Sequence, residues 1–221
     1  KKWSYMGLRL PGSGGQGDMG EESINSLPKS DQWQRYSQFA NFTKRWLSEL
    51  PNPSIAMVGL STGAIIALDV AQQMKCDQLI MVSPFFKSAS YRMDLFVRFV
   101  QFLERWGMGC GKLLDRISTD FTKKDHRENP VYMPGTNRVS FGQLLAIDRY
   151  VRTITFDRCQ AKHLLMMITE CDQTADPHSM VEAWDQISKL VATQNRRKIV
   201  YTQDQQIPHA LTSEYQISNA D

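Results

Sequence analysis

The sequence predicts an α/β protein: a mostly parallel sheet with helices on both faces, and a helical segment inserted between two strands. Three observations carry this reading. Short, near-continuous apolar runs of strand length recur along the 221 residues, as expected for strands of a buried parallel sheet. Patterns of helical period lie between them, and such alternation implies crossover connections. One long stretch, 87–157, holds no core-strand run and breaks the alternation. The length suits one domain with an insertion, because single domains commonly reach about 200–250 residues.

The elements follow in order. "WSYMGLRL" (3–10) reads as a strand and leads into the glycine-rich loop "PGSGGQGDMG" (11–20). Trp33 to Leu50 carries a broad apolar stripe through Tyr36, Phe39, Ala40, Trp46 and Leu47, the mark of a core-facing helix. "SIAMVGL" (54–60) is the next strand, Thr62 to Met74 the next helix, and "DQLIMVS" (77–83) the next strand. Within the insertion, "RMDLFVRFVQFLERW" (92–106) is strongly amphipathic, and "SFGQLLAIDRYVRTI" (140–154) gives further helical turns. "KHLLMMIT" (162–169), a helix over Met180 to Ala192 and "RKIVYT" (197–202) close the series. The core is therefore expected at 1–86 and 158–221, with 87–157 as a helical lid. The lid stripe of Leu95, Phe96, Phe99, Val100, Phe102, Leu103 and Trp106 is expected to pack onto the core in preference to a membrane.

Bulk properties exclude several function classes. A formal net charge of +3, with basic residues spread out and no aromatic interleaving, argues against a nucleic-acid partner. The four cysteines, Cys76, Cys110, Cys159 and Cys171, show neither zinc-type spacing nor a compact disulfide framework, so no metal site and reduced thiols are expected. No cofactor is implied. The G-x-G-x-x-G look of "GSGGQG" lacks a following phosphate-binding helix and an acid about 20 residues on, which disfavours nucleotide binding. A cytoplasmic location is the default expectation.

The chemistry concentrates at Gly59-Leu60-Ser61-Thr62-Gly63, a G-x-S-x-G between a strand and a helix. Such a turn strains the serine backbone, and Gly59 and Gly63 are expected where side chains would collide with strand and helix. The Thr62 N–H, at a helix N-terminus, is placed to stabilise an oxyanion. A serine hydroxyl needs a base, and the base needs an orienting carboxylate. "ECDQTADPHSM" after one later strand offers Glu170, Asp172 and Asp176; "QDQQIPHALTSE" after the last offers Asp204 and His209. The order Ser, acid, His is that of one convergent triad class. His126 and His163 stand in no motif.

By Gly59–Gly63, "ITECDQTADP" (168–177), "IPHALTSE" (207–214) and "LRLPGSGG" (8–15), the chain resembles the α/β-hydrolase superfamily. The narrower resemblance is to the lidded carboxylesterase, monoacylglycerol lipase and serine aminopeptidase group, over about residues 3–215. It implies Ser61 as nucleophile, His209 as base and Asp172 as acid, with Asp176 the second choice. It implies lid contacts to substrate from Phe96, Phe99 and Leu103, and a small-molecule ester substrate with an apolar acyl group. Ser13 stands where the family's loop has a histidine. The resemblance also implies a histidine-glycine segment after the family's third strand, and this sequence contains no such dipeptide. The chain is thus expected to begin at the family's fourth strand, which would leave "WSYMGLR" without "SIAMVGL" as a direct neighbour. Two functions remain in view: a serine hydrolase of carboxylic esters, and a non-catalytic or inactive α/β-hydrolase-like domain that binds a ligand or partner.

Overall fold

A computed structural model of the chain describes residues 31–51, 53–107, 114, 118–120, 138–205 and 207. The expected strand at 3–10, the glycine-rich loop, Cys110, His126 and His209 lie outside the described residues. The main elements are α1 (Gln34–Ser48), β1 (Ala56–Leu60), α2 (Thr62–Gln73), β2 (Cys76–Val82), α3 (Tyr91–Arg105), β3 (Ser118–Asp120), β4 (Arg138–Ser140), α4 (Phe141–Val151), β5 (Ala161–Thr169), α5 (Pro177–Ile187) and β6 (Arg196–Tyr201). Each strand and helix expected among these residues is present, displaced at its ends by a few residues.

β1, β2, β5 and β6 form one sheet in that order, and every pairing is parallel. Register sets the core. Met57, Leu79 and Leu164 lie in one row across the sheet, and Gly59, Met81 and Met166 in the next. All but the glycine are buried side chains of the main hydrophobic cluster, which also takes Ile65 and Leu68 from α2 and Met180 and Ile187 from α5. A cover on both faces was expected. Among the described residues it is complete on this face, while on the other Val58 is 67% exposed and Leu60 38%. β1 accordingly alternates exposed and buried residues along its length.

Buried polar groups hold the helices together. The Tyr150 hydroxyl of α4 donates to Asp69 of α2 at 2.8 Å, and Gln73 donates to the other carboxylate oxygen at 2.9 Å. The Tyr150 ring stacks on Tyr36 of α1, with centroids 5.4 Å apart. Burial, and then the Asp69 carboxylate, push the Tyr150 phenol far above its ordinary range, so it remains a neutral donor. Cys76, the first residue of β2, is buried, and its thiol is pushed up to about 12 by burial and then by Cys159 and Asp77. It is a structural thiol, without the thiolate character that nucleophilic chemistry needs.

The insertion packs differently from expectation. Val97 and Val100 are the buried apolar residues of α3, where they meet Leu114 and Leu145. Phe96 stands edge-on to Phe141, with centroids 5.2 Å apart. Leu95, Phe99, Phe102 and Trp106, expected to face the core, are exposed. The reason is geometric: the helix is apolar around much of its circumference, and only the side bearing Val97 and Val100 reaches α4.

Candidate active site

The carboxyl ends of the parallel strands form one rim, the usual place for ligands in an open α/β sheet. Ser61 leaves β1 there with φ 54° and ψ −123° and caps α2 without using its side chain. A non-glycine residue in so sparsely populated a region costs about 1–3 kcal/mol and persists only if its surroundings hold it. They do hold it. The Ser61 N–H donates to Val82 at 3.0 Å, and its carbonyl accepts from Ala64 at 3.0 Å and from Phe85 at 3.3 Å. The other non-glycine residue of positive φ among those described is Ser83 (φ 40°), on the same rim at the end of β2. Its hydroxyl is buried with no hydrogen-bond partner among the described residues.

The two glycines of the motif prove unequal. A Cβ on Gly59 would lie 2.4 Å from the Gly63 carbonyl oxygen and 2.5 Å from Ala64 backbone atoms, so strand and helix backbones meet there. Among the described residues, a Cβ on Gly63 would meet nothing within 4 Å, which differs from the expectation that both exclude a side chain. Gly63 lies in the first turn of α2, where a side chain points away from β1. Thr62 is the first residue of that helix. Its N–H belongs to the opening turn, whose amides have no intrahelical acceptor and whose dipole favours negative charge.

The acids separate clearly. Asp172 lies just past β5, is 5% exposed, and accepts at Oδ1 from the amides of Thr174 and Ala175, both at 2.8 Å. Asp176 instead caps α5, accepting from His178 and Ser179 at 3.2 and 3.3 Å. Its carboxylate is committed to that helix. Glu170 is exposed and accepts from the Gln203 amide at 3.2 Å. Asp204 sits exposed in a single helical turn, Gln203–Gln205. His178 is the second residue of α5, and His163 is exposed on β5 beside Gln78.

Thr169, which sequence reasoning passed over, joins the two late loops. Its carbonyl accepts from the Asp172 amide at 3.4 Å, and its buried hydroxyl donates to the Ile207 carbonyl. Cys171 reinforces the junction, its thiol donating to the Gln203 carbonyl at 3.3 Å. Gln203 and Ile207, past β6, are therefore tied to the loop that carries Asp172. A threonine ending an apolar run is the only sequence signal for this, and it is a common one.

Beside Phe85, a cavity of about 20 Å³ is lined by Phe85, Lys87, Met93, Asp94, Val97 and Leu144. It has room for about one water. Among the described residues, no group of three or more His, Cys, Asp or Glu could hold a metal ion, and no helix is long and apolar enough to cross a membrane.

No family model and no curated protein matches the sequence. Solved structures do match. A soluble variant of monoglyceride lipase from Saccharomyces cerevisiae, crystallised with a substrate analogue, superposes with a TM-score of 0.54 at 17% identity, over 87% of this chain. The fold is that of the α/β-hydrolases. The chain spans 66% of that lipase's length. A monoacylglycerol lipase from Paleococcus ferrophilus gives a TM-score of 0.46 at 15% identity, covering 77% of this chain and 65% of the lipase. A thermostable carboxyl esterase from Bacillus coagulans, in complex with glycerol, gives 0.45 at 13% identity, covering 78% of this chain and 63% of the esterase. In α/β-hydrolases the turn from strand to helix with a G-x-S-x-G sequence is where a nucleophile stands. Here that turn is β1–Ser61–α2.

Proposed function

We propose that the protein is a serine hydrolase that cleaves carboxylic esters through Ser61, His209 and Asp172. The observation that carries this reading is the Ser61 backbone at φ 54°, held at the rim by three backbone hydrogen bonds while its side chain takes no part in capping α2. His209 takes the Ser61 proton as the hydroxyl oxygen attacks the ester carbonyl carbon. The Thr62 N–H stabilises the oxygen that becomes negative. The protonated His209 then gives its proton to the departing alcohol, and water releases the acyl group by the same steps in reverse. Asp172 fixes the His209 tautomer. Support for Asp172 over Asp176 comes from their partners: Asp172 has one carboxylate oxygen anchored by two amides, whereas Asp176 closes a helix.

An apolar acyl group is the substrate feature this reading favours, with Phe85, Met93, Val97 and Leu144 as the apolar half of a cavity lining that Lys87, Ser88, Asp94 and Asp148 complete. Of the lid residues expected to touch substrate, Phe96 and Leu103 are half-buried and Phe99 is exposed, and none of the three lines that cavity. Entry of an acyl chain requires α3 to shift from α4, since the cavity has room for only about one water.

A fluorophosphonate probe tests the proposal directly. It reacts with an activated serine, so the folded protein should be labelled and Ser61→Ala should not. Absence of label on the folded wild-type chain would reject the hydrolase and leave the ligand-binding domain as the reading to pursue.

A further inference from the structure

We propose that a cleft at the carboxyl ends of α3 and α4 binds a phosphate monoester, with the phosphate held by Arg105, Arg149 and Arg152 and the attached group laid against Trp33. The cleft measures about 480 Å³, and among the described residues Gln101 and Glu104 complete its lining. That volume suits a ligand the size of a nucleotide, since small-molecule sites run from about 300 to 1,000 Å³. Three segments build it. α3 brings Gln101, Glu104 and its last residue, Arg105; α4 brings Arg149 from its last turn, with Arg152 just beyond; and Trp33 stands immediately before α1. Basic residues in a closing turn ordinarily offset the helix dipole. Two helix ends that turn three guanidinium groups into the same cleft go beyond that duty. None of the six residues is among those that hold Ser61 or line the cavity beside Phe85.

The charges are arranged to receive an anion. Glu104 is the one carboxylate among these lining residues, and it is bonded to Arg149. Asp148, outside the lining, accepts from Arg152 at Nε and Nη2, at 2.7 and 3.2 Å, and from Gln101 at 2.6 Å. Glu104 and Asp148 thus hold two of the guanidinium groups in place before a ligand arrives, which lowers the cost of ordering them on binding. Arg105 is exposed and pairs with no carboxylate among the described residues. Guanidinium forks match the paired oxygens of a phosphate. A phosphate monoester carries nearly two negative charges and three acceptor oxygens, enough to engage all three arginines, whereas a carboxylate has one charge and two oxygens. Trp33, half-buried, supplies an aromatic wall. Aromatic side chains stack on bases of any identity. A nucleoside monophosphate therefore uses both parts of the cleft, and a sugar phosphate uses the arginines alone.

The test is calorimetric titration of the full chain at low salt with AMP, ribose 5-phosphate and adenosine. AMP should bind most tightly, ribose 5-phosphate more weakly, and adenosine, which lacks the phosphate, least. Raising the salt to about 0.5 M should weaken AMP binding. Arg105→Gln, at an exposed helix end with no carboxylate partner to abandon, should weaken AMP and ribose 5-phosphate alike by at least about tenfold, with Tm unchanged. Trp33→Leu should bring AMP down towards ribose 5-phosphate and leave the latter as it was, which also shows that the cleft is still formed. Ser61→Ala should bind AMP as the wild type does. Ribose 5-phosphate binding as tightly as AMP would assign the cleft to sugar phosphates. The proposal is overturned if neither phosphate ester binds at millimolar concentration, if Arg105→Gln binds both unchanged, or if Ser61→Ala loses AMP, which would place the ligand at the hydrolase site.

Discussion

Ser61, Gly59 and Gly63 lie within five residues, and the structure sets a different requirement at each. Ser61 stores strain that a glycine would relieve, because glycine occupies positive φ without a steric penalty. Ser61→Gly should therefore raise stability by about 1 kcal/mol in a denaturant titration. The same change should abolish fluorophosphonate labelling. Gly59→Ala drives a methyl group into backbone at 2.4–2.5 Å and should cost about 1–3 kcal/mol or more. Gly63→Ala, inside a helix, meets no atom within 4 Å among the described residues and should stabilise by about 0.5–1 kcal/mol. Equal losses in both glycine variants would show that the two backbones approach differently from the geometry seen here. The motif was fully legible as a string of letters. Its unequal steric demands were not, because they depend on where Ala64 backbone sits relative to β1.

At the scale of elements, the loop after β5 carries both carboxylates weighed for the acid role, and their partners differ. Asp172→Asn keeps Oδ1 as acceptor for the Thr174 and Ala175 amides, so the turn should survive with stability little changed. If Asp172 orients the base, turnover of a soluble ester should nevertheless fall by about 10⁴-fold. Asp176→Ala removes the α5 cap and should cost about 1 kcal/mol of stability, leaving turnover near wild type. The opposite pattern would hand the acid role to Asp176. The alternation of strands and helices was readable because apolar runs and helical stripes differ in period, whereas the short β3–β4 pair inside the insertion carries no apolar run and was not foreseen. The orientation of α3 was not readable in the same way. Period alone cannot tell which of two apolar sides is inward, and Val97 and Val100 won that competition over Leu95, Phe99 and Phe102. The tie from Thr169 to Ile207 was equally hidden, since it joins residues 38 positions apart through one hydroxyl.

For the molecule as a whole, the four-stranded sheet is uneven in its protection. β5 and β2 are flanked by strands on both sides, whereas β1 pairs with β2 alone among the described strands and turns Val58 and Leu60 outward. An apolar edge strand of this kind is a template for pairing with another chain. Val58 is the residue to change, because it is 67% exposed and three positions from Ser61 along the strand. Val58→Lys places a charge on that face, where β-proteins commonly carry one to discourage edge pairing. Light scattering against concentration should then show less self-association, with the denaturation midpoint shifted by no more than about 0.5 kcal/mol equivalent. The site should be unaffected, since Ser61 is held by Val82, Ala64 and Phe85, none of which lies on the outer side of β1. A loss of several kcal/mol on introducing the lysine would give the opposite answer: in solution the side chain of Val58 would then be covered, and β1 would be an inner strand of a wider sheet.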